Sequence, residues 1–180
     1  MDVALILDDR RGNVKKKSGS DVIRKKTQPR IQNPYQERER VKHPDGTACP
    51  ECGAVFAKGK WTWSKPPVGG QVSPELCPAC LQIKADYAGG ILTLSGSFLA
   101  AHREDILNRV RNVESSEKKD HPLQRIMKIV DKGEQIEIRA TSEHLMARMG
   151  KALKSDFNGE LELSYIEDEN IARAHWRRDS

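Results

Sequence analysis

The stretch "CPECGAVFAKGKWTW", residues 49–63, combines a cysteine pair, two glycines and two tryptophans. Three chemistries compete for it: one arm of a metal site, a phosphate loop, or a Trp-bearing surface for nucleic acid. The cysteines argue for metal. Cys49-Pro-Glu-Cys52 is answered by Cys77-Pro-Ala-Cys80, with 24 residues between the pairs. Two thiolates at Cys-x-x-Cys spacing bend around one ion, and Gly53 lets the backbone turn just after the second sulfur. Four thiolates suit zinc and close its tetrahedron, leaving no position for water or substrate, so the site reads as one structural zinc ion. The same four sulfurs would also serve an iron–sulfur cluster or a pair of redox dithiols. "CPACLQIKADYA" reads as a helix opening at the second pair, so the module is treble-clef-like as readily as a zinc ribbon.

The phosphate loop fails on spacing. Five residues separate Gly53 from Gly59-Lys60, where a P-loop has four, and Trp61 stands where a Ser or Thr would hold magnesium. No nucleotide cofactor is expected. Trp61 and Trp63 would share a face on a strand, with Lys58, Lys60 and Lys65 close by. Rings beside lysines stack bases and neutralise phosphates. The competing reading has both rings covering a small metal core that has few other large apolar residues.

Outward from this module the composition changes. The 180 residues are 37% hydrophobic and 32% charged with net charge +5, an apolar share too low for one core spanning the whole length. Residues 1–46 carry 12 Lys/Arg against 7 Asp/Glu, whereas residues 91–180 carry 15 against 16. The basic excess therefore belongs to an arm, 1–46, in which few apolar residues and repeated prolines predict a solvated, flexible segment. Its cations Arg10, Arg11, Lys15, Lys16, Lys17, Arg24, Lys25 and Lys26 are interrupted by the single acid Asp21. Such a tract binds RNA or DNA through phosphates without reading sequence; the alternative is a tail that only solubilises. The longest N-terminal apolar run, "VALIL", is far short of the ~20 residues of a membrane span. It also lacks the flanks of a signal peptide. A cytoplasmic location is expected, and a reducing cytoplasm favours metal over disulfides for the four cysteines.

After the metal module, 47–90, residues 91–180 read as an α+β domain: a helix, then a small ββαββ unit. "GSFLAAHREDILNRVRNVESSEKK" predicts one helix capped by Ser97, with Leu99, Ile106, Val110 and Val113 on one face. "LQRIMKIV" and "EQIEIRAT" read as a strand pair joined at "DKG". "SEHLMARMGKALKSDF" reads as a Ser-capped helix with Leu145, Met149, Ala152 and Leu153 inward. "GELELSYI", with Leu161, Leu163 and Tyr165 on one side, and "IARAHW" close the unit. The five histidines are scattered without metal spacing; His102, in "AHRED", reads as a polar helix residue or an RNA contact. No nucleophile constellation appears, so an enzyme is not expected.

From Cys49 to Trp176 the chain resembles a family of small bacterial zinc-binding proteins, through "CPECGAVFAKGKWTW", "CPAC", "LTLSGSFLAAHREDILNRVRN", "HPLQRIM" and "IARAHW". That family in turn resembles the N-terminal region of the large-ribosomal-subunit export adaptor of archaea and eukaryotes, the nonsense-mediated-decay adaptor family. The cysteine pairs and the strand-pair, helix, strand-pair pattern around "SEHLMARMGKAL" carry that likeness. The resemblance implies a zinc-binding region that contacts the large subunit, and nuclear export is not implied. Together these readings predict a zinc-stabilised RNA-binding protein that is ribosome-associated, with RNA or a ribosomal particle as partner. A DNA-associated regulator and a protein-interaction scaffold with a solubilising arm are the rivals.

Overall fold

Alternation of apolar and polar residues in "QIEIRA" and "IARAHWR" generates the central sheet, and a helical repeat in "EHLMARMGKALKSDF" generates the helix that covers it. The computed structural model describes residues 41–66, 73–166 and 171–180. Its elements run β1 (Val55–Ala57), β2 (Lys60–Thr62), α1 (Pro78–Lys84), β3 (Gly90–Ser95), α2 (Ser97–Ala101) and α3 (Arg103–Asp120). They continue with β4 (Ile126–Asp131), β5 (Gln135–Ala140), α4 (Glu143–Phe157), β6 (Glu160–Ile166) and β7 (Ile171–Arg177). The result is a mixed α+β fold. β1 and β2 form a hairpin, and the other strands form one sheet in the order β4-β5-β3-β7-β6.

The main departure from expectation is β3. The sequence pattern predicts a four-stranded ββαββ unit, but "GILTLS" inserts as the central strand, antiparallel to β5 and parallel to β7. Leu92 stands beside Ile138 on one side and Ala174 on the other, and all three are buried. The core is completed by Leu94, Ile136 and Trp176 of the sheet, by Leu145, Met146, Met149 and Leu153 of α4, and by Leu99, Ile106 and Val110 of α2 and α3. Fully burying each of these aliphatic side chains contributes roughly 1.5–3 kcal/mol. Trp176 also satisfies its indole, whose Nε1–H donates to the carbonyl of Asn158 at 2.8 Å. The side chain of Tyr165 lies outside the described residues.

Helix α4 begins as its sequence predicts: the Ser142 hydroxyl accepts from the Leu145 N–H at 3.1 Å. Of the residues expected inward, Leu145, Met149 and Leu153 are buried and Ala152 is half-buried. Close approach to the sheet depends on a missing side chain, since a Cβ on Gly90 would sit 2.8 Å from the Met146 Cβ.

The single helix expected from Ser97 is two. His102 leaves helical geometry (φ −121, ψ 24), separating α2 from α3. Its ring stacks on Phe98 with centroids 4.0 Å apart, so it is a joint between helices. Ser97 is the first helical residue and not the cap; Gly96 holds that place at φ 104, ψ 163. That conformation is essentially restricted to glycine. The backbone of Arg178, just past β7, lies directly against Gly96. Gly96→Ala is therefore expected to lower unfolding free energy by about 1–3 kcal/mol from backbone strain alone, with the Arg178 clash added. Gly133 also has positive φ (+82), but a Cβ added there would meet nothing within 4 Å, so Gly133→Ala should lose only about 1 kcal/mol. Urea denaturation of the two variants checks the ordering.

Candidate metal centre

The two cysteine pairs arrive by different local structures. At the first, the Gly53 N–H donates to the Cys49 carbonyl at 2.9 Å and the Cys49 N–H to the Ala54 carbonyl at 2.8 Å. This tight turn, with Gly53 at φ 76, places Cys49 and Cys52 side by side. The chain then enters the β1–β2 hairpin, whose turn residues Lys58 and Gly59 both have positive φ (51 and 80), as a two-residue hairpin turn requires. At the second pair Cys77 is the residue before α1, Pro78 opens the helix, and Cys80 lies in its first turn. Proline suits that first position because its missing N–H would be unpaired there anyway. A turn, a hairpin and a helix start thus converge on one point.

The four Sγ atoms lie within 4.8 Å of one another, with Cys52 and Cys77 at 3.7 Å. None is in a disulfide. Tetrahedral thiolates about 2.3 Å from an ion stand about 3.8 Å apart, so the four could hold a metal ion with little rearrangement. Cys49, Cys77 and Cys80 are buried and Cys52 is half-buried. Ala54, Phe56, Trp61, Ala79, Leu76 and Leu123 pack around them.

An arginine completes the arrangement. Arg125, only 7% exposed, reaches from just before β4. Its Nη2 donates to Cys52 Sγ at 3.0 Å and lies 3.7 Å from Cys77 Sγ, and its Nη1 donates to Cys80 Sγ at 3.3 Å. Its Nε donates to the Pro122 carbonyl at 2.6 Å. Among the described residues no carboxylate pairs with it. A buried cation needs a counter-charge, so this guanidinium fits a sulfur cluster that is ionised, which is the metal-binding state. Burial opposes the charge of Arg125, and the sulfurs more than offset that, raising its pKa above the ordinary value.

Without an ion the thiols are held unequally. Burial pushes Cys77 up, beyond the normal thiol range, assisted by the charges of Cys52, Cys80 and Cys49. Burial also raises Cys80, despite the opposing donation from Arg125. Cys49 feels burial too, but backbone N–H groups of Cys77, Cys52 and Glu51 outweigh it and lower it to about 7.

The tryptophans separate. Trp61 is 5% exposed and packs between Phe56 (centroids 5.7 Å) and His43 (5.3 Å), so it is core and its face is closed to a base. Trp63 lies one residue past the end of β2, where the chain bends, and remains 39% exposed. The expected common face does not form because β2 stops at Thr62. The Trp63 Nε1–H donates to the carbonyl of Lys118 near the end of α3, and Arg125 lies 5.9 Å from the ring centroid. Lys58 and Lys60 are exposed on the hairpin. Arg10, Arg11, Lys15, Lys16, Lys17, Arg24, Lys25 and Lys26 lie outside the described residues.

Sequence reasoning missed Arg125 and His43. Arg125 carries no spacing relation to the cysteines, and nothing local in "PLQRIM" marks it as a sulfur donor. His43, assigned to the arm, packs on Phe56 as well as Trp61 and pairs with Glu75 at 2.9 Å. No helix among the described residues is long and apolar enough to cross a membrane. No protein-family model, curated protein or solved structure matches the chain.

The thiol directions set a pH dependence. Metal binding needs thiolates, whereas Cys77 and Cys80 without metal hold their protons past the usual range. Binding therefore releases protons, and apparent affinity should climb with pH through neutrality and fall on acidification. Each proton displaced gives about tenfold per pH unit. Competitive chelator titration of cobalt(II)-loaded protein between about pH 6 and pH 8 checks this, and a flat affinity would contradict it.

Proposed function

We propose that this chain is a zinc-stabilised RNA-binding protein that works by binding, at a ribosomal particle in the cytoplasm. Four thiolates are the donor set that zinc prefers in structural sites, and they leave no coordination position for chemistry. The reducing compartment keeps such sulfurs available to metal. Turn, hairpin and helix start around one ion make the module treble-clef-like, on an α+β body whose strand pairs flank α4.

The observation that carries the RNA reading is Trp63. Its ring is fixed by the bond from Nε1 to the Lys118 carbonyl, yet remains 39% exposed. Lys118, whose carbonyl takes that bond, and its neighbour Lys119 are exposed in the last turn of α3, and Lys58 and Lys60 are exposed on the hairpin that leads to Trp63. A ring immobilised before binding loses little entropy when a base stacks on it. Lysines nearby neutralise the phosphates on either side, and the basic tract from Arg10 to Lys26 adds a sequence-independent hold on the same backbone. Unpaired loops of ribosomal RNA offer both splayed bases and dense phosphate.

Trp63→Ala should weaken RNA binding by roughly 1–3 kcal/mol while leaving metal content and fold unchanged. Trp61→Ala should instead loosen the metal module, because that ring is core. Comigration with a ribosomal particle on sucrose gradients should be strong at low salt and vanish as salt rises. Equal RNA affinity of the Trp63→Ala protein would refute the stacking role. Migration with DNA, or with no nucleic acid at any salt, would hand the function to a regulator or a scaffold.

A further inference from the structure

Arg125 belongs by position to the sheet and by contact to the sulfurs. Its backbone is fixed on both sides by one residue: its N–H donates to Thr141 Oγ1 at 2.9 Å, and its carbonyl accepts from the Thr141 N–H at 3.0 Å. The Thr141 hydroxyl in turn donates to the Leu123 carbonyl at 2.6 Å. From the metal-module side, Gln82 of α1 donates its side-chain N–H to the Thr141 carbonyl at 2.9 Å and is itself buried. With Nε committed to the Pro122 carbonyl, the guanidinium plane cannot rotate, and both terminal nitrogens are aimed at sulfur. A fork of fixed donors of this kind is what arginine supplies and lysine does not.

The four sulfurs are not equivalent in this arrangement. Cys52 is the one ligand left partly open to solvent, and it receives the shortest of the arginine–sulfur contacts, 3.0 Å. Cys49 receives none of them and is held by backbone N–H groups instead. A divalent ion inside four thiolates leaves two surplus negative charges, and one guanidinium cancels half of that excess. An N–H donated into a thiolate lone pair also lowers its electron density, so the sulfur is a weaker base and a weaker nucleophile.

We propose that Arg125 is an integral outer-sphere member of the metal centre. It is delivered by the α+β domain, halves the centre's charge and protects Cys52, the solvent-side ligand, from displacement. The proposal rests on the reading of Cys49, Cys52, Cys77 and Cys80 as metal ligands. Its consequence is that neither the cysteine module nor the sheet domain builds the site alone. Metal retention then depends on a residue 73 positions from the sulfur it guards most closely.

The test uses the full-length protein loaded with cobalt(II), as wild type, Arg125→Lys and Arg125→Met. Met keeps much of the volume without charge or donors, and Lys keeps the charge without the fork. Two readouts are taken: the sulfur-to-cobalt charge-transfer band, and the rate of cobalt transfer to a chromogenic chelator with and without N-ethylmaleimide. Removing N–H donors from thiolates raises their electron energies, so the band should move to longer wavelength in the order wild type, Lys, Met. Transfer should accelerate in the same order, roughly 10–100-fold for Met, the range typical of lost outer-sphere partners. Circular dichroism at the same temperature shows whether each variant keeps its fold. If the Met protein does not fold, the Lys protein decides: a band at longer wavelength and a faster transfer than wild type support the proposal. Wild-type band position and rate in a folded variant overturn it. Failure of the wild type to take up cobalt overturns the metal reading itself, which is a separate and recognisable result.

Discussion

A guanidinium that is sealed from water must sit on negative charge, and this constraint organises much of the structure. Arg125 has the sulfurs of Cys52, Cys77 and Cys80 in front of it and the sheet behind it. Held in that position, it obliges the cysteine module and the α+β domain to keep one relative geometry. The contacts that support it are short-range and polar: Gln82 to Thr141, Thr141 to Leu123, and Arg139 of β5 to Asp86 just after α1 at 2.9 Å. Leu123 adds an apolar contact by packing against the cysteine cluster itself. The sulfur cage is thus a joint between two parts of the molecule as well as a local staple.

The same arginine also reaches toward the exposed ring. Trp63 lies near Arg125 on its inner side and is tethered to α3 through its indole nitrogen. Ring, cation and sulfurs therefore follow one another from the exposed surface inward. What holds Trp63 is its bond to the Lys118 carbonyl with Arg125 alongside, and not the hairpin, since β2 ends before reaching it. A surface residue on a three-residue strand would otherwise have little to fix it. Trp61, two positions earlier, belongs wholly to the interior. The pair shows how a single bend places two nearby tryptophans in different environments.

Much of this was legible from the chain. The cysteine spacing located the sulfur cluster, because Cys-x-x-Cys geometry is local and depends on nothing else in the fold. The period-two pattern of Ile136 and Ile138 located β5, and Ser142 with its helical repeat located α4. What stayed hidden was non-local. "GILTLS" is six residues with apolar side chains on both faces, a pattern that a buried strand and a helix segment share. Only its pairing with β5 and β7 makes it a strand. The break at His102 was unreadable for a related reason: no proline or glycine marks it, and it reflects the Phe98–His102 stack. Arg125 was invisible because its partners lie 45 to 73 residues earlier, and long-range polar contacts leave no periodic trace.

The central position of β3 has a kinetic side. One of its two neighbours, β7, closes the described sheet from far along the chain; the Ser95–His175 bond across that pair spans 80 residues. The parallel ladder therefore cannot assemble during synthesis until nearly all of the domain has emerged. Until then, Leu92 and Leu94 face an incomplete sheet. Loop closure over such a span is slow compared with hairpin formation. The cysteines come from a much shorter segment, but the arginine that contacts them stands just before β4, so their site too is completed only after β3 has emerged.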